Sequence, residues 1–193
     1  KFPELEKYIL HRLWEVDQIV KDCVNTFNLH LMFTTLLNFC SNDLSAFYFD
    51  IRKDIIYCDS SSSLKRRSAR SLLDIIFNFL VRWLAPSLSF TSEEAWKARG
   101  SSSSVHLEDF LSTKESYCNH NLKNKWNVIK QVRRVVTGAL EKKRADKIIG
   151  SSLEAHIDIY LEESVLQKIK EIDFEEICKR ICFGGCKKRY CYS

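Results

Sequence analysis

The chain has 193 residues, of which 45% are hydrophobic and 12% aromatic. That composition can fill a core and excludes disorder as the state of the whole chain. No apolar run reaches the roughly 18–20 residues that a membrane span needs.

The formal net charge is +5, but it is unevenly distributed. Residues 121–151 carry nine Lys/Arg against two acids, residues 153–177 carry eight acids against two lysines, and residues 178–193 carry five cations and no acid. Separate basic blocks suit a chain that offers a basic face to a polyanion. A solvated helix surface explains the same charges equally well.

The sequence predicts a mainly helical fold, because there are only five Gly and two Pro and apolar residues recur at three- and four-residue spacing. Residues 4–40 are predicted to form one or two helices, and the apolar density of residues 27–39 favours a buried helix. Asn42 and Asp43 are residue types that cap a helix start, and they precede a further apolar stretch at residues 44–50.

Residues 64–84 form the most apolar candidate helix, which is predicted to end before Pro86 because proline cannot continue it. Thr91 followed by Glu94 has the spacing of a capping box and predicts a short helix. We expect Leu84, Phe90 and Trp96 to be buried around the corner between these two helices.

A long basic helix is predicted over residues 121–147, with an apolar face that includes Trp126, Ile129, Val136, Ala139 and Leu140. Apolar and polar residues then alternate over residues 155–162, as in a half-buried strand, and a last helix follows from about residue 163. The predicted organisation is a helical bundle at 1–120, a connecting helix at 121–150, a small α/β piece at 151–177 and an irregular basic tail at 178–193.

No catalytic residue is predicted, because the signatures of nucleotide binding and hydrolysis are absent. The sequence contains no glycine-rich phosphate loop, no Gly-x-Ser-x-Gly and no His-Glu-x-x-His. The five histidines are far apart and follow neither metal nor triad spacing.

The eight cysteines fall into two groups. The first is scattered among apolar residues and is expected to hold buried, reduced thiols of a cytosolic protein: Cys23, Cys40, Cys58 and Cys118. The second could supply four thiolates to zinc: Cys178, Cys182, Cys186 and Cys191. Its members lack the paired Cys-x-x-Cys spacing of a zinc knuckle, so no metal site is predicted and zinc is kept as the less favoured alternative.

Four segments carry a recognisable pattern. Residues 47–59, which end in Arg-Lys-Asp-Ile-Ile-Tyr-Cys-Asp, closely resemble a stretch of isoleucyl-tRNA synthetases. Residues 66–96 look like the Leu-Ala-Pro and Phe-Thr-x-Glu-Glu-x-Trp helix pair shared by isoleucyl, valyl and leucyl enzymes. Residues 104–107 match the loop that follows this pair in isoleucyl enzymes, and residues 132–155 are similar to the isoleucyl C-terminal region, where a long helix leads into a small sheet. The whole resemblance runs from about residue 4 to residue 162.

The resemblance implies the anticodon-binding and C-terminal region of a class I isoleucyl-tRNA synthetase, in which a helical anticodon-binding bundle is followed by a small α/β appendage. It implies isoleucine tRNA as the partner and a monomer in the cytoplasm, with neither DNA nor a membrane involved. The His-x-Gly-His and Lys-Met-Ser-Lys-Ser type motifs of the catalytic halves are absent. We therefore expect this chain to be inactive and to need no cofactor, with ATP and magnesium used by the parent enzyme.

Charge placement suggests which side chains would contact the RNA. Lys123, Lys130 and Arg134 fall on one stripe of the basic helix, where they would neutralise backbone phosphates. Further candidates are Lys142, Lys143 and Arg144 near the helix end, and Arg52 and Lys53, which would face RNA or cap a local structure. For each of them, a solvated surface residue is the alternative.

Two other functions stay open at the level of sequence. The first is the corresponding domain of a valyl or leucyl enzyme, although those branches lack the Arg-Lys-Asp-x-x-Tyr-Cys-Asp match. The second is a helical protein-interaction scaffold that uses the acidic block at residues 153–177.

Overall fold

The computed structural model describes residues 2–150, and all regular secondary structure in that part of the chain is helical. This confirms the mainly α class. Six α-helices follow one another: α1 Glu4–Thr26, α2 Leu29–Asn38, α3 Asp50–Cys58, α4 Leu64–Leu84, α5 Ser89–Ala98 and α6 His120–Ala145. A π-helical segment, Phe39–Phe49, joins α2 to α3, and two 3₁₀ turns, Val105–Leu107 and Glu115–Tyr117, lie between α5 and α6.

The chain divides into two compact units, with the boundary between Asn119 and His120. The first unit contains α1 to α5, and the second begins with α6. Several predictions lie outside the described residues: the strand at 155–162, the α/β piece at 151–177 with its acidic block, and the tail at 178–193 with its four cysteines.

α1 and α2 are separated by a tight two-residue link. Phe27 ends α1 with a left-handed φ of 56°, and the N–H of Asn28 donates to the carbonyl of Cys23 at 2.9 Å. The Asn28 side chain then accepts from the N–H of Leu31 at 3.2 Å, which caps the start of α2. Residues 4–40, predicted to form one or two helices, therefore contain two, and this link turns the chain between them.

The predicted cap at Asn42-Asp43 is wrong, because the chain remains helical from α2 through the π-helical segment into α3. Asp43 is buried and accepts hydrogen bonds from Nε and Nη2 of Arg12 on α1, at 3.2 and 3.1 Å. Its carboxylate is thus used for packing α1 against this segment rather than for capping.

The prediction of a buried helix over residues 27–39 is also wrong. α2 exists, but only Met32 and Leu36 on it are buried. Phe27, directly before it, is 86% exposed. Met32 and Leu36 are four residues apart and so occupy one narrow stripe, which leaves the other sides of this apolar helix in solvent.

α4 has the predicted bounds, and its first turn is capped by Ser63, whose hydroxyl accepts from the N–H of Arg66 at 3.4 Å. Near its end, Val81, Ala85, Trp96 and Val105 form a buried cluster. The corner between α4 and α5 is therefore organised around Trp96, as the sequence predicts.

The surroundings of Trp96 show which part of the corner prediction holds. The ring of Trp96 is stacked with that of Phe77 at a centroid distance of 6.5 Å, and the Arg82 guanidinium lies 4.7 Å from the Trp96 centroid. Phe90 is 92% exposed, so its predicted burial is wrong, and Leu84 is only partly buried. The capping box is wrong as well, because α5 begins at Ser89, two residues before Thr91.

Glu93 on α5 holds the neighbouring loop in place. Its Oε2 accepts from the backbone N–H of Val105 at 2.8 Å and from the hydroxyl of Ser104 at 2.9 Å, while Lys97 lies 2.9 Å from Oε1. The hydrogen bond from Lys97, followed by those from Val105 and Ser104, lowers the pKa of Glu93 to about 2 against a partial desolvation that opposes the shift.

We expect part of the stability of the first unit to depend on pH through the ionisation of Glu93. A carboxylate whose pKa is lowered on folding stabilises the folded state above its unfolded pKa, and that contribution is lost as pH falls from about 4.5 towards 2. We therefore expect Glu93→Gln to lower the melting temperature at pH 7 and to melt like the unmodified protein near pH 2. Thermal melts between these pH values measure the difference. The neighbouring exposed residue provides the control, Glu94→Gln, and a constant gap across the pH range would contradict the assignment.

α1 is also joined to the far end of its unit by polar contacts. Asp17 Oδ2 accepts from the N–H and the hydroxyl of Thr113 at 2.9 and 2.7 Å, across 96 residues of chain. The Nδ1 atom of the buried His11 accepts from the N–H of Asn119 at 3.0 Å, across 108 residues. These bonds fix the segment before α6 along α1.

α6 has the predicted apolar face in large part. Trp126, Ile129, Val136 and Leu140 are buried, whereas Ala139 is exposed. The helix also contains an exposed glycine at residue 138, where an added Cβ would meet no atom within 4 Å.

Gly138→Ala is expected to stabilise the protein by about 0.5–1 kcal/mol, because glycine in a helix interior is disfavoured relative to alanine by that amount. The matched control is Gly100→Ala, which is expected to destabilise, because Gly100 has a φ of +88° that alanine rarely adopts. Chemical denaturation of both variants gives the two free energies. Destabilisation by Gly138→Ala would show that residue 138 needs the freedom of glycine.

Candidate nucleic-acid interface

The basic character of α6 is strong: His120–Ala145 contains eight Lys/Arg and a single acid, Glu141. Lys123, Lys130 and Arg134 are spaced by seven and four residues, which places them along one side of the helix. Arg134 is exposed, whereas Lys123 and Lys130 are partly buried and also interact with other groups of the protein. Arg134 is therefore the most accessible member of this stripe.

The end of α6 adds three more cations. Lys142 and Lys143 are exposed, and Arg144 donates from Nη1 to Glu141 Oε1 at 2.6 Å. Cations in a last turn also interact favourably with the helix dipole, so they have a structural role independent of any ligand. Lys142 and Lys143 are nevertheless open to a polyanion.

Arg52 and Lys53 are the remaining RNA-binding candidates from the sequence. Arg52 is only 1% exposed. Its Nε and Nη2 atoms donate to the two carboxylate oxygens of Glu6 on α1, at 2.6 and 3.1 Å. The hydroxyl of Tyr48 donates to the same carboxylate at 3.3 Å, and burial followed by the Glu6 charge raises the pKa of Tyr48. Because the guanidinium is enclosed, the RNA-facing assignment of Arg52 is corrected to a structural one.

Lys53, the next residue along α3, has an exposed side chain. Its Nζ is 3.2 Å from Asp50 Oδ1, in an ion pair that is itself exposed. Tyr57 follows four residues later and is 80% exposed. Because residues four apart share a helix face, α3 presents a cation and an aromatic ring side by side.

The loop after α3 is held in place by hydrogen bonds to Asp59. Ser63 donates to the carboxylate of Asp59 at 2.9 Å, and Arg66 Nη1 donates to the Asp59 carbonyl at 2.5 Å. On α4, Arg67 and Arg70 are exposed one turn apart. These two arginines are not among the RNA contacts predicted from charge placement, because they are interspersed with apolar positions. Their helical spacing is the signal that would have found them.

The described residues contain no group of three or more His, Cys, Asp or Glu side chains placed to hold a metal ion. Cys23 is buried, Cys40 and Cys118 are half-buried and Cys58 is exposed, so the expectation that all four are buried is wrong. Within residues 2–150, none of the helices combines the length and apolarity required to cross a membrane.

Residues 6–159 match a family described as the anticodon-binding domain of tRNA ligase. The chain therefore belongs to this family of anticodon-binding domains. Similar proteins include three isoleucine–tRNA ligases. The first, from Pelagibacter ubique, is 45% identical over 179 residues, which are 92% of this chain and 20% of that protein. Those from Bartonella henselae and Agrobacterium fabrum are each 49% identical over 178 residues, which are 91% of this chain and 18% of each protein. The chain thus spans about a fifth of the length of these relatives.

Proposed function

We propose that this chain binds the anticodon stem-loop of an isoleucine tRNA, as a non-catalytic domain of a longer isoleucine–tRNA ligase. The observation that carries the proposal is the family match over residues 6–159, supported by 45–49% identity to isoleucine–tRNA ligases. In this proposal ATP and magnesium serve the rest of the ligase, and the chain itself is inactive, monomeric and cytoplasmic.

The basic groups on α6 supply the sequence-independent part of the binding. Arg134, Lys142 and Lys143 are accessible to phosphates, and Lys123 and Lys130 extend the same positive potential along the helix. Phosphate contacts set the register of an RNA but carry little information about its sequence.

The exposed face of α3 is suited to the sequence-specific part of the binding, which is the recognition of unpaired loop bases. Specific RNA recognition uses aromatic rings that stack on splayed bases beside polar groups that bind base edges. Tyr57 supplies such a ring, and Lys53 lies one turn away on the same face. Arg52 contributes indirectly, because its ion pair with Glu6 fixes α3 against α1.

The chain is expected to bind isoleucine tRNA with marked salt dependence and to prefer it over tRNAs with other anticodons. Neutralising Lys123, Lys130 and Arg134 to glutamine together should weaken binding to every tRNA alike. The slope of log affinity against log salt should flatten by up to about two units, at about 0.7 per single-strand phosphate contact. Fluorescence titration of anticodon stem-loops at several salt concentrations measures both quantities.

A matched control variant removes the same charge from other elements: Lys7→Gln/Lys97→Gln/Lys114→Gln. It should leave the salt slope nearly unchanged if the α6 stripe is the contact. Equal binding of isoleucine and unrelated stem-loops at low salt, with no effect of the α6 substitutions, would defeat the proposal. In that event the stripe is a solvated helix face.

A further inference from the structure

The solvent-facing side of α6 carries a row of carboxamide side chains. We call it the amide row and define it by Asn124, Asn127 and Gln131, all of which are exposed. Their spacing of three and four residues places them within an arc of about 60° around the helix. Along the helix axis the row extends over about 10 Å. The three side chains therefore offer neighbouring hydrogen-bond donors and acceptors to a single ligand.

The residue types on this side of α6 are poor choices for a helix face that only meets water. Asparagine is a weak helix former, because its amide competes for backbone hydrogen bonds, and glycine is weaker still. Gly138 follows Gln131 by seven residues on the same side, and a Cβ added to it would meet no atom within 4 Å. Helix stability is thus reduced at several exposed positions of one side, which suits a binding surface better than a solvated one.

The neighbouring cations indicate that the ligand of the amide row is an RNA. Lys123 and Lys130 are four residues before and three residues after Asn127, and Arg134 is three residues after Gln131, so the cation stripe borders the row. Protein interfaces centre on aromatic and methionine side chains, which the exposed side of α6 does not contain. Amides beside cations instead combine groups that bind base edges with groups that bind phosphates.

The hydrogen-bonding pattern of a carboxamide limits which base the amide row can recognise. A carboxamide holds a donor N–H next to an acceptor oxygen. Adenine presents the complementary pair on two edges, N6 with N7 and N6 with N1, and Asn or Gln can bind such an edge through two hydrogen bonds. Side chains do not read the deep, narrow major groove of an RNA duplex, whereas unpaired bases expose these edges. An unpaired adenine is therefore the matching ligand.

We propose that the amide row recognises an unpaired adenine in the anticodon loop of the bound tRNA. This inference rests on the proposed function, because it takes the chain to bind an anticodon stem-loop. The cation stripe holds the phosphates, the amide row binds the base edge, and Gly138 leaves room for the RNA backbone to approach α6 closely. Tyr57 on α3 supplies a stacking ring, whereas the amide row supplies the hydrogen bonds that distinguish one base from another.

The first test replaces the amide row by alanine, a better helix former, in the 193-residue chain: Asn124→Ala/Asn127→Ala/Gln131→Ala. We expect this triple-alanine variant to melt at the same or a higher temperature, yet to bind the isoleucine anticodon stem-loop about tenfold to a hundredfold more weakly. The slope of log affinity against log salt should stay the same, because no charge is removed. The control, Asn121→Ala/Thr137→Ala, changes two exposed polar residues elsewhere on α6 and should retain full affinity.

Modified stem-loops identify the base that is recognised. Each adenine of the loop is replaced in turn by purine, which lacks the N6 amino group. At one position, this replacement should weaken binding to the unmodified chain about tenfold or more and should have no further effect on the triple-alanine variant. Equal losses in the two proteins at every adenine would overturn the inference, as would full stem-loop affinity in the triple-alanine variant.

A second variant tests the close approach of the RNA at Gly138. Gly138→Gln adds an uncharged side chain to the same side of α6, so the chain should melt at a higher temperature and bind the stem-loop more weakly at every salt concentration. The matched control, Ala139→Gln, adds the same side chain at the next exposed position, about 100° further around the helix, and should bind normally. Normal binding by Gly138→Gln would overturn the role given to Gly138.

The failure of this inference can be told apart from the failure of the proposed function. Weaker binding after neutralisation of the cation stripe, with no effect of the triple-alanine variant, would refute only the role of the amide row. Equal weakening by the triple-alanine variant and by its control on α6 would also refute that role, because any change to the helix would then have the same effect. Absence of stem-loop binding by the unmodified chain would refute the proposed function itself.

Discussion

Arg52→Ala is expected to lower the free energy of unfolding by about 3–5 kcal/mol, because it leaves the Glu6 carboxylate buried without its counter-charge. Glu6 is fully enclosed, and its remaining contact, with the Tyr48 hydroxyl, is a longer bond of 3.3 Å. The loss should appear as a shift in the urea midpoint with little change in the slope of the transition.

The adjacent residue provides the control for this prediction. Lys53 belongs to the same sequence segment, but its ion pair with Asp50 is exposed, and such pairs contribute about 0–1 kcal/mol. Lys53→Ala should therefore leave stability almost unchanged. A further variant, Glu6→Leu/Arg52→Leu, should be less destabilised than Arg52→Ala, because replacing both partners of a buried pair leaves no charge uncompensated. Similar midpoints for Arg52→Ala and Lys53→Ala would show that Arg52 is not enclosed.

Trp96→Ala is expected to cost about 3–5 kcal/mol, the usual range for removing a large buried aromatic side chain. The substitution removes the indole from the cluster with Val81 and Val105, and with it the stacking of Phe77 and the cation–π contact of Arg82. Thermal or urea denaturation followed by circular dichroism measures the effect.

Phe90→Ala is the matched control, since it truncates an aromatic residue of the same helix that is 92% exposed. Surface substitutions of this kind usually change stability by less than about 0.5 kcal/mol. Comparable losses of stability in Phe90→Ala and Trp96→Ala would mean that the buried face of α5 has been misassigned.

The contrast between Phe90 and Trp96 illustrates what a sequence pattern can predict. The motif resemblance identified the helix pair correctly, and the apolar stretch at residues 64–84 together with Pro86 predicted the bounds of α4. The resemblance carried no information about which side of α5 faces the core. Ser92 and Trp96, four residues apart, face inward, and Phe90 points away from them because successive helical residues rotate by about 100°.

The predictions for Arg52 and for the helix at residues 27–39 were wrong for a different reason. Charge and hydropathy indicate the usual location of a residue type, but burial depends on partners that are distant in sequence. Arg52 is buried because Glu6, 46 residues earlier, supplies a carboxylate. α2 is largely exposed because only one stripe of it meets its own unit. The alignment of Lys123, Lys130 and Arg134 along one side of α6 follows from helical spacing alone, since position along one element does not depend on tertiary partners. Their contact with phosphates stays a prediction.

The polar contacts between α1 and the segment ahead of α6 have a consequence for synthesis on the ribosome. Asp17 and His11 leave the ribosome before their partners Thr113 and Asn119, which follow 96 and 108 residues later. The first unit therefore cannot complete its native contacts until nearly all of it has left the exit tunnel, and contacts so distant in sequence slow folding. We expect nascent chains halted before residue 113 to lack these two contacts of α1, although its ion pair with Arg52 can already form.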